Sequence, residues 1–289
     1  MASSSFRRSF AADPTLSAQL FPLLEAVFGI DETISAAKAI GASWEAASTP
    51  FIRFADERAV THVGVLELPL WLMGAPVTVG GIHAVCTHPH YRRRGYYREV
   101  MAEVMDYCGD RYDTLILTTA QPELYEPFGF RQVTEHRFTV RCSTISEANK
   151  LRLLNFSQPE DVQLLHQHLE DRQPVSRILG VIRERSVFCF NEINQPLYYA
   201  KDLDLIVVMQ IEETKLKLFD LVGTQICELD QLLAAIPQRI EQVEIYFSPD
   251  RLNVAAAATP HVLGGAGLMV RGNFAAEGEQ FMLPHSARC

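Results

Sequence analysis

The sequence predicts a mixed α/β layer fold in two parts, and three observations carry that prediction. Apolar residues switch along the chain between helical spacing and alternating or continuous runs. In the first half these stretches follow the order strand, two helices, three antiparallel strands, helix, strand, helix, strand. The length of 289 residues exceeds one ordinary domain and accommodates two.

Phe6 to Phe10 reads as a short first strand, closed by the Asp13-Pro14 turn. Leu16, Leu20, Leu23, Leu24 and Val27 recur at helical spacing, and Gly29 ends that stripe. A second helix covers Glu32 to Ile40, and Phe51 to Phe54 is a strand ending at Asp56-Glu57-Arg58. Ala59 to Leu72 forms a long strand that turns through Met73-Gly74-Ala75-Pro76 into Val77 to Thr87. The second of these is mostly apolar, as a strand buried on both faces requires. Beyond Pro89 the period changes, with Tyr97, Val100, Met101, Val104 and Cys108 on one helical stripe. Thr114 to Thr119 reads as a central strand, Pro122 to Tyr125 as a short helix, and Phe130 to Cys142 as one strand.

Polar residues from Ser143 to Lys150 make a linker, which divides the chain into domains at 1–145 and 151–289. Ser157-Gln-Pro-Glu160 resembles a capping box that opens a helix carrying Val162, Leu165 and Leu169. Leu197 to Tyr199, Leu205 to Ile211 and Lys215 to Val222 read as strands, and Glu228 to Ile240 as a helix interrupted by Pro237. Val243 to Phe247, Gly267 to Val270 and Gln280 to Leu283 complete the strands. Strand, strand, helix, strand in the second half faintly echoes the first.

Composition narrows the function. Hydrophobic residues at 48% and charged residues at 21% describe a chain with a real core, which excludes dominant disorder. No apolar run reaches the roughly 20 residues of a membrane-spanning helix, and the N-terminus lacks the apolar stretch of a secretory signal. A net charge of −9, with neither half basic, argues against a nucleic-acid partner. The six cysteines are scattered without a CxxC pair and read as reduced thiols of a cytoplasmic protein.

The segment Val85-Cys-Thr-His-Pro-His-Tyr-Arg-Arg-Arg-Gly-Tyr-Tyr97 carries the chemistry. It runs from a strand into a helix through an Arg/Gly turn. Such a junction presents free backbone N–H groups at the positive end of a helix dipole, a setting for a phosphate or pyrophosphate. Gly95 permits close backbone approach, and the guanidiniums add charge-assisted hydrogen bonds. A solvated basic turn at a helix start is the plain alternative.

This stretch resembles the acetyl-CoA signature of the GNAT superfamily of N-acetyltransferases, Gln/Arg-x-x-Gly-x-Gly/Ala after a buried strand. Arg92-Arg-Arg-Gly95-Tyr-Tyr97 fits except at its last position, where Tyr97 replaces a small residue. That departure resembles the enhanced-intracellular-survival (Eis) branch of mycobacterial acetyltransferases. Leu124-Tyr-Glu-Pro-Phe-Gly-Phe130 is similar to the family's Tyr-x-x-x-Gly-Phe element. Residues 151–289 look like a second, degenerate GNAT-like domain, because Gly223-Thr-Gln-Ile-Cys lacks the Arg-x-x-Gly pattern. Eis-type proteins carry an added sterol-carrier-like C-terminal domain, for which this chain is too short.

The resemblance implies a tandem acyl-CoA N-acyltransferase fold and transfer of an acetyl group from acetyl-CoA to a small-molecule or protein amine. The implied mechanism is direct attack in a ternary complex. The backbone of Val85, Cys86 and Thr87 would hold the pantetheine arm as an added strand. Amides of Arg93, Arg94, Gly95, Tyr96 and Tyr97, with Arg98 nearby, would hold the pyrophosphate, and Arg92 would help form the turn or reach a phosphate. Tyr125 matches the tyrosine that protonates the departing thiolate. The second domain would shape the acceptor pocket. Without turnover, the same features describe a regulatory acyl-CoA-binding module.

A base for the amine has three candidates. His83 lies two residues before Val85 and shares its face by strand alternation, while Glu67 lies on the neighbouring strand. In Eis-type relatives a terminal carboxylate enters the active site, which nominates Cys289 here. His88, His90, His166 and His168 read as solvated, with no third ligand nearby, so no metal is expected. Homo-oligomerisation stays open.

Overall fold

A computed structural model describes residues 5–144 and 149–289. Of the linker predicted at 143–150, residues 145–148 lie outside the described residues, and Ser143 and Thr144 belong to a strand. The first half builds α1 (Leu16–Phe28), α2 (Asp31–Ala39), α3 (Trp44–Ala47), β1 (Ser48–Ala55), β2 (Arg58–Leu72), β3 (Ala75–Thr87), α4 (Tyr96–Gly109), β4 (Thr114–Thr119), β5 (Arg131–Gln132) and β6 (His136–Thr144). The second builds β7 (Leu151–Leu153), α5 (Pro159–Glu170), β8 (Leu179–Val181), α6 (Ser186–Glu192), β9 (Leu197–Ala200), β10 (Leu205–Glu212), β11 (Lys215–Val222), α7 (Leu229–Leu233), β12 (Ile240–Ile245), β13 (Ala257–Pro260) and β14 (Gly267–Gly272).

The local rules hold where burial and turn chemistry agree. Leu16, Leu20, Leu23 and Leu24 bury one face of α1, and Gly29 ends it in the left-handed region. Met73 and Gly74, both at positive φ, close the β2–β3 hairpin, the two-residue geometry that suits twisted strands.

Two mixed sheets result, with a shared plan. In the first the order is β1-β2-β3-β4-β14-β5, with β8 added beside β2; in the second it is β13-β6-β12-β11-β10-β9-β7. Each sheet runs antiparallel up to one parallel pair, β3 with β4 and β11 with β12, and antiparallel beyond. The strand beside β4 is β14, from the end of the chain, and the strand beside β12 is β6, from the first half. The halves exchange a strand, making this a tandem GNAT-like α/β fold.

Several expectations are corrected. Phe6 to Phe10 contributes only a single bridge, Arg7 to Phe51, before the chain turns at Ser9. Phe130 to Cys142 is two strands in different sheets, broken where the buried Glu135 turns inward to Arg288 and the Leu283 amide. The helix over 159–170 starts at Pro159 without a side-chain cap, because Asp161 serves Arg152 and the Asn155 amide. Glu228 to Ile240 yields only the five-residue α7, and Gln280 to Leu283 is irregular chain, exposed at Gln280 and buried from Phe281 to Leu283.

Candidate functional site

β3 and β4 pair only at Gly80–Leu115 and Gly81–Ile116. These glycines have no room for a side chain. A Cβ at Gly80 would lie 2.6 Å from Leu115 Cδ2, and one at Gly81 would lie 2.9 Å from Cys289 Sγ. Beyond them β3 leaves its neighbour, because Ala84 (φ 48°) sits in a bulge where the register with β2 slips between Gly64–His83 and His62–Cys86. β4 stays straight against β14. The result is a V-shaped cleft of about 1210 Å³ between the ends of the two strands. Strand edges that part in this way present backbone groups to an extended ligand.

The cleft joins the two faces of the sheet. On one, Val85 and Tyr125 pack with Val100, Met101 and Val104 of α4. On the other, Ala84 and Cys86 pack with Val27 and Ile30 around the α1–α2 connection. The bulge therefore separates His83 from Val85, which strict alternation had placed on one face.

At the α4 end, Arg93 (φ 61°) and Gly95 (φ 82°) turn the chain into the helix, and no side chain caps it. The positive end of the helix dipole opens into the cleft, lined there by Arg92, Arg93, Arg94, Gly95, Tyr96, Tyr97 and Arg98. Arg92 Nε donates to the Thr87 carbonyl at 3.1 Å and braces the turn. Arg94 donates to the His90 carbonyl at 3.0 Å and lies over Tyr91. Among the described residues, Arg93 and Arg98 have no hydrogen-bond or ion-pair partner.

Tyr125, 7% exposed, stands between Tyr97 and Phe130 with both ring pairs edge to face. Tyr97 is fixed by donating its hydroxyl to the Leu124 carbonyl at 3.0 Å. Burial, aided by the neighbouring Cys86 thiol, pushes the Tyr125 phenol up to about 12. Its hydroxyl has no hydrogen-bond partner among the described residues and remains a proton-bearing donor at neutral pH.

His83 lines the cleft, with Nε2 2.8 Å from Ser48 Oγ and its ring against Trp44. Burial, with His62 beside it, pushes His83 down to about 3; burial takes His62 to about 4. Cys289 also lies in the cleft, its main-chain oxygen accepting from Thr118 N and Thr118 Oγ1, both at 2.7 Å. Burial pushes the Cys86 and Cys289 thiols up to about 12. Glu67 does not line the cleft and accepts instead from the Tyr112 hydroxyl at 3.1 Å. Sequence reasoning missed Val27, Phe28, Ile30 and Thr118, which lack a motif and reach the cleft only through tertiary packing.

Among the described residues no group of three or more His, Cys, Asp or Glu is placed to hold a metal ion. His168, read as solvated, is buried and bonded to Asp204 at 3.0 Å. All six cysteines are unpaired. No helix among the described residues is long and apolar enough to cross a membrane.

The family model described as "Acetyltransferase (GNAT) domain" matches residues 12–133, the segment that holds α1 to β5 and both walls of the cleft. No curated protein matches the sequence. Among solved structures, an Enterococcus faecalis V583 protein described as a "Probable N-Acyltransferase" aligns with a TM-score of 0.60 at 14% identity, covering 94% of this chain and 72% of that one. A GCN5-related N-acetyltransferase from Anabaena variabilis gives 0.54 at 18%, covering 91% and 71%. Eis1 from Mycobacterium abscessus gives 0.53 at 13%, covering 91% and 72%. These likenesses concern the fold.

Proposed function

We propose that the protein is an N-acetyltransferase that moves an acetyl group from acetyl-CoA to a primary amine by direct attack in a ternary complex. One observation carries the reading: a cleft between parted parallel strands ends at an uncapped helix N-terminus flanked by two unpartnered arginines. Those are the requirements of an extended pantetheine arm and an anionic diphosphate. Residues 1–145 would hold the cofactor, and 151–289 would complete the acceptor side. We also read the protein as cytoplasmic, a compartment that suits unpaired thiols.

Val85, Cys86 and Thr87 would bind the pantetheine amides through their backbone. Arg93, Arg98 and the amides from Arg93 to Tyr97 would bind the diphosphate, while Arg92 and Arg94 keep the turn in shape. The amine nitrogen attacks the thioester carbonyl, the C–N bond forms, and the C–S pair leaves on sulfur. A phenol near 12 lies roughly 3.5 units above a thiol of about 8.5, so full transfer to sulfur is uphill by about 5 kcal/mol. Tyr125 therefore assists by donating a hydrogen bond as charge develops on sulfur, and solvent completes the protonation. His83, at about 3, is a poor store for the amine's proton, which passes to water.

The unpartnered hydroxyl of Tyr125 favours this enzyme over a regulatory CoA-binding module. Replacing Tyr125 with Phe should lower kcat about 100-fold, within the usual range for a positioned proton donor, and change CoA affinity less than about twofold. Steady-state thiol release and calorimetry with CoA measure the two quantities. Undiminished turnover would remove Tyr125 from this role, and a protein with no affinity for CoA would end the proposal.

A further inference from the structure

We infer that Tyr97 is the positioning residue for the donor to sulfur: its hydroxyl and ring hold the segment that carries Tyr125 in place beside the cleft. The inference rests on the acetyltransferase reading, which used Tyr97 only through its backbone amide.

Tyr125 stands on a segment that is hydrogen-bonded mostly to itself. Pro122–Leu124 and Glu126–Phe128 are two single-turn helices, and Tyr125 joins them. Tyr125 N donates to the Pro122 carbonyl, Phe128 N to that of Tyr125 and Gly129 N to that of Glu126, each at 2.9 Å. Gln121 N donates to Thr119 Oγ1 at 3.0 Å. Among the described residues, one hydrogen bond ties residues 121–129 to a distant part of the chain. It is the donation of the Tyr97 hydroxyl to the Leu124 carbonyl at 3.0 Å. Leu124 directly precedes Tyr125, and its own side chain, 41% exposed, adds little anchorage.

The rings reinforce that tie. Tyr97 meets Tyr125 edge to face with centroids 6.2 Å apart, and Phe128 likewise at 5.8 Å. Tyr97 continues the buried α4 stripe of Val100, Met101 and Val104. Helical side chains lean toward the N-terminus, so Tyr97 covers the first turn from its packed face and leaves the amides at the helix end free. A small residue here would keep those amides and lose the tie. Burial, with Tyr125 beside it, holds the Tyr97 phenol above the usual tyrosine range, so this donor keeps its proton. One residue thus serves both ends of the cofactor, the diphosphate through its backbone and the sulfur through Tyr125. A hydrogen bond to sulfur weakens steeply once its donor swings out of line.

The test is a double-mutant cycle on the full-length protein with CoA itself as the probe, read as the acidity of the bound thiol from its ultraviolet thiolate absorbance. A donor to sulfur favours the thiolate, so Tyr125→Phe should make the bound thiol about tenfold less acidic. Tyr97→Phe should do so about threefold, and Tyr97→Leu, which also removes the ring edge, by more. In the Tyr125→Phe background neither should change it further, because Tyr97 acts through Tyr125. CoA affinity at neutral pH, by calorimetry, should change less than about twofold in every variant. Unchanged acidity in Tyr97→Phe and Tyr97→Leu, or an equal loss with Tyr125 already replaced, overturns the inference while the role of Tyr125 stands. Unchanged acidity in Tyr125→Phe defeats that role and this inference together, and absence of CoA binding by the unaltered protein defeats the parent reading.

Discussion

The two sheets share one plan and differ in what fills it. In the first, the parallel pair β3–β4 parts after a bulge at Ala84, and the gap stays open. In the second, the parallel pair β11–β12 also parts after a bulge, at Phe219, between the Val208–Asp220 and Met209–Leu218 pairings. That gap is occupied. Asp220 points inward to Arg172, both 0% exposed as side chains, and Ser286 donates to the same carboxylate. Phe219 stacks on Tyr246 with centroids 4.9 Å apart. The following helix has five residues, against fourteen in α4. Topology creates the opening in both sheets, and side chains decide whether it becomes a site. Small residues and free arginines keep one open, while a buried ion pair closes the other.

The sharpest way to break this comparison is to remove the plug. Asp220→Ala leaves the Arg172 guanidinium buried with no hydrogen-bonded carboxylate, only the more distant charges of Glu184 and Glu192, and its Nε and Nη1 already lack partners. Stripping one partner from a buried pair costs about 3–5 kcal/mol, most of it the penalty on the abandoned charge. Urea denaturation should show that loss, and a change below about 1 kcal/mol would mean the pair does not hold the second gap shut.

Next in size is the contrast between the two turns that follow the bulged strands. Arg93→Ala should weaken CoA binding about tenfold and reduce its dependence on salt, since a charge-assisted contact to phosphate is lost. Gln225→Ala, in the corresponding turn of the second half, should leave CoA affinity unchanged. Equal effects from both substitutions, measured by calorimetry at two ionic strengths, would erase the distinction between the halves.

The open site was largely legible in the sequence and the closed one was not, for a physical reason. Arg92 to Tyr97 and Leu124 to Phe130 are contiguous, so their turn chemistry is written locally. The α1 and α4 stripes were legible because one face of each is buried along its whole length. Strand exchange is a different kind of fact. Met269 of β14 pairs with Leu117, and Val243 of β12 with Val140, partners whose proximity no local pattern records. Phe130 to Cys142 reads as one strand because its period barely falters; only the ion pair of Glu135 with Arg288 shows why it breaks. Gln280 to Leu283 likewise looks like strand because three of its four residues are apolar, yet Phe281 to Leu283 are buried as a strap tied to Glu135.

The same contrast extends to how the halves treat a histidine. In the second half, His285 has a carboxylate partner, Glu192, at 2.7 Å. In the first, His83 faces Ser48, Trp44 and His62 with no acid, and burial holds it at about 3. An imidazole in the unfolded chain takes its proton near pH 6.5, whereas folded His83 waits until about 3. Between those values the unfolded state binds more protons, so acidification favours unfolding, and one such group contributes a slope of up to about 1.4 kcal/mol per pH unit. His83→Gln keeps a hydrogen-bonding side chain and removes the titration. Its stability, followed by urea midpoints at pH 6.5, 5.5 and 4.5, should fall less steeply than that of the unaltered protein, by as much as one proton's slope. Identical slopes would show that His83 takes up its proton as readily in the folded cleft as in the unfolded chain, and the first gap would then be wetter than its packing against Trp44 implies.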